Sequence, residues 1–89
     1  MNNRIVLGSL AMDLKRAALG YHRGSVAMAE RFFTEALKRK KECDMKIIDP
    51  YLFQILNNIE SLKGRSNKDK AENALMYSTL IQNYVLRRL

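Results

Sequence analysis

Arg16 and His22 come nearest to reaction chemistry in this chain. An imidazole can take and return a proton near neutral pH, and a guanidinium can steady a developing negative charge. Together they have the side chains needed for acid–base cleavage of a phosphodiester. The pair straddles the end of an expected helix, with Gly20 between the two residues. Cys43, the one thiol, lies between Glu42 and Asp44, whose charges disfavour the thiolate that a nucleophile must become. It is also a whole helix away from the single histidine. No group of His, Cys or carboxylate residues recurs at the spacing of a zinc or di-iron site, so neither metal nor cofactor is expected. Glu30, Glu35, Glu42 and Glu60 read as solvated helix charges.

The stronger chemical bias is electrostatic. Sixteen Lys and Arg against nine Asp and Glu give a net charge of +7, which favours nucleic acid, an anionic surface or an acidic protein as partner. The run Lys38, Arg39, Lys40 and Lys41, with Arg87 and Arg88, forms the candidate anion or nucleic-acid contact. The same cations occupy last helical turns, where they complement the carbonyl end of the helix dipole with no ligand at all. In an up-and-down bundle they divide between two poles, Arg23, Lys63, Arg65 and Lys68 at one and the Lys38–Lys41 run with Arg87 and Arg88 at the other. Most Phe and Tyr residues fall on helix stripes, which leaves no obvious array of exposed aromatics for stacking bases.

The positioning elements are helices. The chain has 89 residues, 47% of them hydrophobic and 28% charged, with four Gly and one Pro, as expected for one folded helical domain over residues 1–89. Leu7, Leu10, Ala11, Leu14, Ala17, Ala18 and Tyr21 recur at the spacing of an amphipathic helix from about Asn3 to His22. Gly24 followed by Ser25 reads as a helix stop beside an N-cap, predicting a hairpin; one kinked helix is the competing possibility. Val26, Ala29, Phe32, Phe33, Ala36 and Leu37 line the second helix, where Glu35 and Arg39 are placed to pair. Asp49-Pro50 is the strongest helix start, with Ile48 and Phe53 as a hydrophobic staple. Leu52, Ile55, Leu56, Ile59 and Leu62 form the third helix's core face, which Gly64 ends. Ser66 and Asp69 resemble a capping box that opens a fourth helix through Arg87, with Ala74, Tyr77, Leu80, Ile81, Tyr84 and Val85 as its stripe. The fold class is all-α: a four-helix antiparallel bundle or two stacked hairpins.

A second apolar line marks the first helix. Ile5, Met12 and Leu19 repeat at heptad spacing beside Gly8, where another backbone can approach closely. These four residues are the candidate self-association seam. The final helix adds Leu75, Met76 and Leu86 outside its own stripe.

Two family resemblances accompany these patterns. Gly24, Ala29, Phe33, Ala36 and Leu37 resemble the second-helix half of a tetratricopeptide repeat, which implies a closely packed helical hairpin. The Arg16–His22 spacing resembles the arginine–histidine motif of HEPN-type ribonucleases, which implies RNA cleavage. The residues themselves lead to a different expectation: a non-enzymatic cytoplasmic module acting through protein contacts, as a homo-oligomer or with another protein. Its N-terminal apolar run is too interrupted to cross a membrane, and a single cysteine suits a reducing compartment. A small RNA- or DNA-binding regulator is the alternative.

Overall fold

A computed structural model describes residues 2–89. Four helices follow one another: α1 (Asn3–Arg23), α2 (Val26–Glu42), α3 (Pro50–Glu60) and α4 (Asn67–Arg88). Short 3-10 turns at Met45–Ile47 and Ser61–Gly64 flank α3, and no strand occurs among the described residues.

Each helix boundary has a local cause. Gly24 adopts φ 81°, a left-handed conformation that costs glycine little. The Ser25 amide then bonds the Gly20 carbonyl at 2.8 Å and the Gly24 amide bonds the Tyr21 carbonyl at 3.2 Å, a Schellman closure that ends α1 and turns the chain back. The expected hairpin therefore forms. Ser25 itself makes no side-chain cap; its carbonyl accepts from Ala29 at 3.0 Å to begin α2. Asp49 Oδ1 accepts the Leu52 amide at 3.0 Å ahead of Pro50, and Ser66 Oγ accepts the Asp69 amide at 3.2 Å. Phe53, the expected staple partner of Ile48, instead stays exposed.

α1 occupies the middle, packed extensively against both α2 and α4. Its partners run antiparallel to it: Gly20 lies against Ala29, while Ser78 Oγ of α4 donates to the Ala11 carbonyl at 2.7 Å. α3 links the flanks, since Asp49 ahead of its first turn meets Tyr84 of α4 and Glu60 in its last turn reaches Lys40 of α2. Leu7, Leu10 and Leu14 of α1 are wholly buried together with Leu56 and Ile59 of α3 and Ile81 of α4. Such side chains supply most of the stability, at roughly 1.5–3 kcal/mol each on full burial. Val6, outside the expected stripe, is wholly buried as well, because α1 is covered on more than one side.

α1 and α2 approach most closely at the hairpin. A Cβ built on Gly20 would lie 2.9 Å from Ala29 Cβ and 3.1 Å from its Cα and amide nitrogen. Only two small residues allow this crossing. On α2 the buried positions are Ala29, Phe33 and Ala36, with Phe32 and Leu37 partly buried and Val26 exposed.

The expected Glu35–Arg39 pair is replaced by others. Glu35 meets Lys38 at 3.3 Å, while Arg39 turns to Glu42 at 3.0 Å and to Asp13 of α1 at 3.9 Å. Arg39 thus keeps its hydrogen bonds on its own helix, one turn further along at Glu42, while its Nε edge lies in the field of buried Asp13.

Candidate functional site

The side of α1 left between α2 and α4 is the candidate interaction face. Ile5, Met12 and Leu19 remain 54%, 41% and 40% exposed along it. Their heptad spacing brings them to one side, while the intervening residues Val6, Leu7, Leu10, Leu14, Ala17 and Ala18 turn inward. Gly8 leaves the line without a side chain, and a Cβ there would meet nothing within 4 Å. The result is an open groove of about 530 Å³ floored by Gly8 and Ser9 between Ile5 and Met12, with Arg39 of α2 and Val85 of α4 on its walls.

Apolar side chains continue onto both flanks. On α4, Val85 faces α1 and Tyr84 is turned toward Asp49, so Leu86 emerges on the flank opposite α3, 71% exposed. Leu75 has the same position relative to buried Ala74 and is also exposed. On α2, Met28 continues the Phe32–Arg39 line beside α1.

The groove is also charged. Asp13 is nearly buried, 3.6 Å from Arg16 and 3.9 Å from Arg39. Burial outweighs the two guanidiniums and raises its carboxyl pKa above the usual range. Arg16 lies over the Phe32 ring at 5.6 Å, a cation–π contact that holds its stem against α2. Arg39 Nε is buried without a hydrogen-bond partner among the described residues. Arg4 donates to the Leu89 carbonyl at 2.8 Å, clasping the end of α4 to α1.

The expected anion-binding residues have separate fates. Lys38 and Arg39 are paired as described, and Lys40 reaches Glu60 at 3.4 Å. Glu60 is held below its usual pKa chiefly by its bond with Lys63, and by Lys40 as well. Lys41, Arg87 and Arg88 have no carboxylate within 4.0 Å among the described residues. Most of the basic run on α2 thus serves intramolecular pairs, whereas at the end of α4 Arg87 remains available and Arg88 helps hold down the pKa of Asp49.

An aromatic pair stands beside those arginines, with Tyr51 exposed and Tyr84 half-buried, where the helix stripes left no obvious array of exposed aromatics. Tyr51 of α3 stacks on Tyr84 of α4 with centroids 6.3 Å apart and an interplanar angle of 27°. Tyr51 retains 54% exposure. Its position in the first turn of α3 places it outside that helix's core stripe, and only tertiary packing brings it to Tyr84.

Several polar positions matter more than their spacing suggested. Lys70 is 7% exposed, bonds Glu30 at 3.1 Å, and lies within 6 Å of the Tyr21 and Phe33 ring centroids. The Tyr21 hydroxyl is buried, and desolvation with the Glu30 carboxylate beside it pushes its pKa up. Asn3 clamps the Asp44 backbone twice, donating to its carbonyl at 3.2 Å and accepting its amide at 2.9 Å. Cys43 is buried, and desolvation with Glu42 alongside pushes its thiol up to about 11.

Arg16 and His22 do not converge. Six positions along a helix leave their side chains about 120° apart around the axis; Arg16 is engaged with Asp13 and Phe32, while His22 is exposed in the last turn. Among the described residues no group of three His, Cys, Asp or Glu side chains is placed to hold a metal ion. No helix of the described residues is long and apolar enough to cross a membrane. No protein-family model matches the chain, and neither a curated protein nor a solved structure is significantly similar to it.

Proposed function

We propose that this chain is a non-enzymatic helical protein-interaction module that pairs with a second copy of itself through the open face of α1. The observation carrying the reading is the exposed line Ile5, Met12 and Leu19, of which Ile5 and Met12 border a glycine-floored groove. The line has a symmetry useful to a homodimer: Met12 lies midway between Ile5 and Leu19. An antiparallel copy of α1 related by a two-fold axis at Met12 sets Ile5 against the partner's Leu19 and Met12 against its own equivalent. Methionine suits that central position because its unbranched thioether adapts to an irregular surface.

Magnitudes favour a modest dimer. Ile5, Met12, Leu19, Leu75 and Leu86 each retain roughly half their surface, so covering them contributes about 1 kcal/mol apiece and roughly 10 kcal/mol for a pair. Lost translational and rotational freedom costs at least about 4 kcal/mol. The remainder, at most about 6 kcal/mol, corresponds to a dissociation constant of tens of micromolar or weaker. Exposed Cys chemistry is absent from this face, since Cys43 is buried, and a reducing cytoplasm is the compartment proposed with it.

The charge on the face supports a second reading. Arg4, Lys15, Arg16 and Arg39 outnumber Asp13 and Glu35 around it, a balance that complements an acidic amphipathic helix of another protein. Salt separates the two. Screening strengthens self-pairing by relieving repulsion between like charges, whereas it weakens an acidic partner's binding. Sedimentation equilibrium across about 5–500 μM, at low and high salt, provides the test. A molar mass rising from 10.3 kDa toward twice that value supports the proposal; a monomer throughout removes it.

A further inference from the structure

We infer that the cleft between the start of α3 and the end of α4 is a binding site for a nucleotide, with its base stacked on Tyr51 and its phosphate held by Arg87 and Arg88. The cleft encloses about 300 Å³, at the small end of ligand pockets, and Tyr51, Tyr84, Leu80, Asn83, Arg87 and Arg88 line it together with Asp49. Each part supplies a different feature of the ligand. Tyr51 offers an exposed aromatic surface to a planar ring, with Leu80 as an apolar wall. Asn83 is exposed on the same wall and carries both an amide donor and an amide acceptor for the edge of a base. Arg87 and Arg88 present guanidiniums with no carboxylate within 4.0 Å among the described residues, the planar donors best matched to phosphate.

The cleft is braced by the fold. Tyr84 donates its hydroxyl to Asp49 Oδ2 at 2.7 Å, and Asp49 Oδ1 accepts the Leu52 amide at 3.0 Å. The cap of α3 therefore holds the Tyr84 ring, and that ring backs Tyr51. The hydrogen bonds to both Asp49 oxygens leave its negative charge in the cleft, where it draws on Arg88 and makes Arg87 the principal phosphate donor. A planar base joined to a phosphate uses the aromatic platform, the amide and the guanidiniums together. A simple inorganic anion would leave Tyr51 and Asn83 without a role. The same chemistry is presented by a free mononucleotide and by a nucleotide of a single-stranded nucleic acid.

The test titrates the full chain, isotopically labelled for NMR, with adenosine monophosphate in one arm and a short single-stranded adenine oligonucleotide in the other. Saturable shifts at Tyr51, Asn83 and Arg87 support the site, and the arm that produces them identifies the source. Tyr51→Ala should weaken binding about tenfold or more, while Tyr51→Phe retains it. Arg87→Glu, on an exposed side chain, should abolish binding and with it the salt dependence. Tyr51 is exposed and outside the core, so thermal melts of the two Tyr51 variants should match that of the parent chain. The inference is overturned if neither ligand shifts these residues at several millimolar, or if Tyr51→Ala leaves the affinity unchanged.

Discussion

The same substitution at two glycines of α1 should have opposite effects. At Gly20 the added methyl would lie 2.9 Å from Ala29 Cβ and 3.1 Å from the Ala29 backbone. No flexible side-chain end is available to swing aside, so α1 and α2 must separate next to the turn that fixes their crossing. Because the clash meets Ala29 backbone as well as its Cβ, the overpacking belongs in the upper part of the usual range, roughly 2–3 kcal/mol, against a helix-propensity gain of about 1 kcal/mol. Gly20→Ala should therefore destabilise the fold by about 1–2 kcal/mol. At Gly8 a Cβ meets nothing within 4 Å, so Gly8→Ala should stabilise the monomer by about 0.5–1 kcal/mol. With a melting shift of about 4–8 °C per kcal/mol in a domain of this size, the two variants should melt more than about 6 °C apart. Thermal unfolding followed by circular dichroism at low micromolar concentration measures this without a contribution from self-pairing. A Gly20→Ala chain that melts at or above Gly8→Ala would refute the close crossing of α1 and α2.

Cys43 should react with thiol reagents at pH 8 at least about a hundredfold more slowly in the native chain than in denaturant, because burial raises its pKa to about 11; comparable rates would contradict a buried thiol. The unfolded chain loses this proton first as pH rises past about 9, so the thiol's contribution to stability declines between there and about 11, and Cys43→Ala should lack that component of the alkaline loss. Glu30→Ala strands the Lys70 ammonium and should cost about 1–2 kcal/mol, discounted because Glu30 is partly exposed. Lys70→Met keeps a stem against Tyr21 and Phe33 with no stranded charge, and should stay within about 1 kcal/mol of the parent; chemical denaturation showing the reverse order would contradict this. Asn3→Ala removes both bonds to Asp44 and should cost about 1–2 kcal/mol, with faster hydrogen exchange at the Asp44 amide.

Helix boundaries were legible wherever one residue type has a short-range mechanical use. Asp49-Pro50, Ser66 and Gly24 each act through partners within a few positions, so spacing alone revealed them. The core stripes of α1 and α3 were legible for a similar reason: a leucine recurring at helical spacing needs a neighbour, whichever helix supplies it. Long-range pairing escaped that logic. Lys70 is buried because Glu30 lies 40 positions earlier, and Asn3 because Asp44 lies 41 later. Ser78 lies in α4's contact line because its hydroxyl finds the Ala11 carbonyl. Arg39 belonged to an apparent basic patch until the fold placed Asp13 beside it. The candidate sites divide in the same way. The line Ile5, Met12 and Leu19 follows from heptad spacing on one helix, whereas the Tyr51–Tyr84 cleft requires the start of α3 and the end of α4 to meet.

Self-pairing through α1 is tested most directly by placing one charge at the centre of its apolar line. Met12 is exposed in the monomer, so Met12→Glu should leave its melting curve within about 1 kcal/mol of the parent. On a two-fold axis, however, it sets two carboxylates against one another. Sedimentation equilibrium at about 200 μM and moderate salt should show the parent chain mainly as a dimer and Met12→Glu as a monomer of 10.3 kDa. A parent chain that remains monomeric, or a Met12→Glu chain that dimerises equally well, would contradict the proposal.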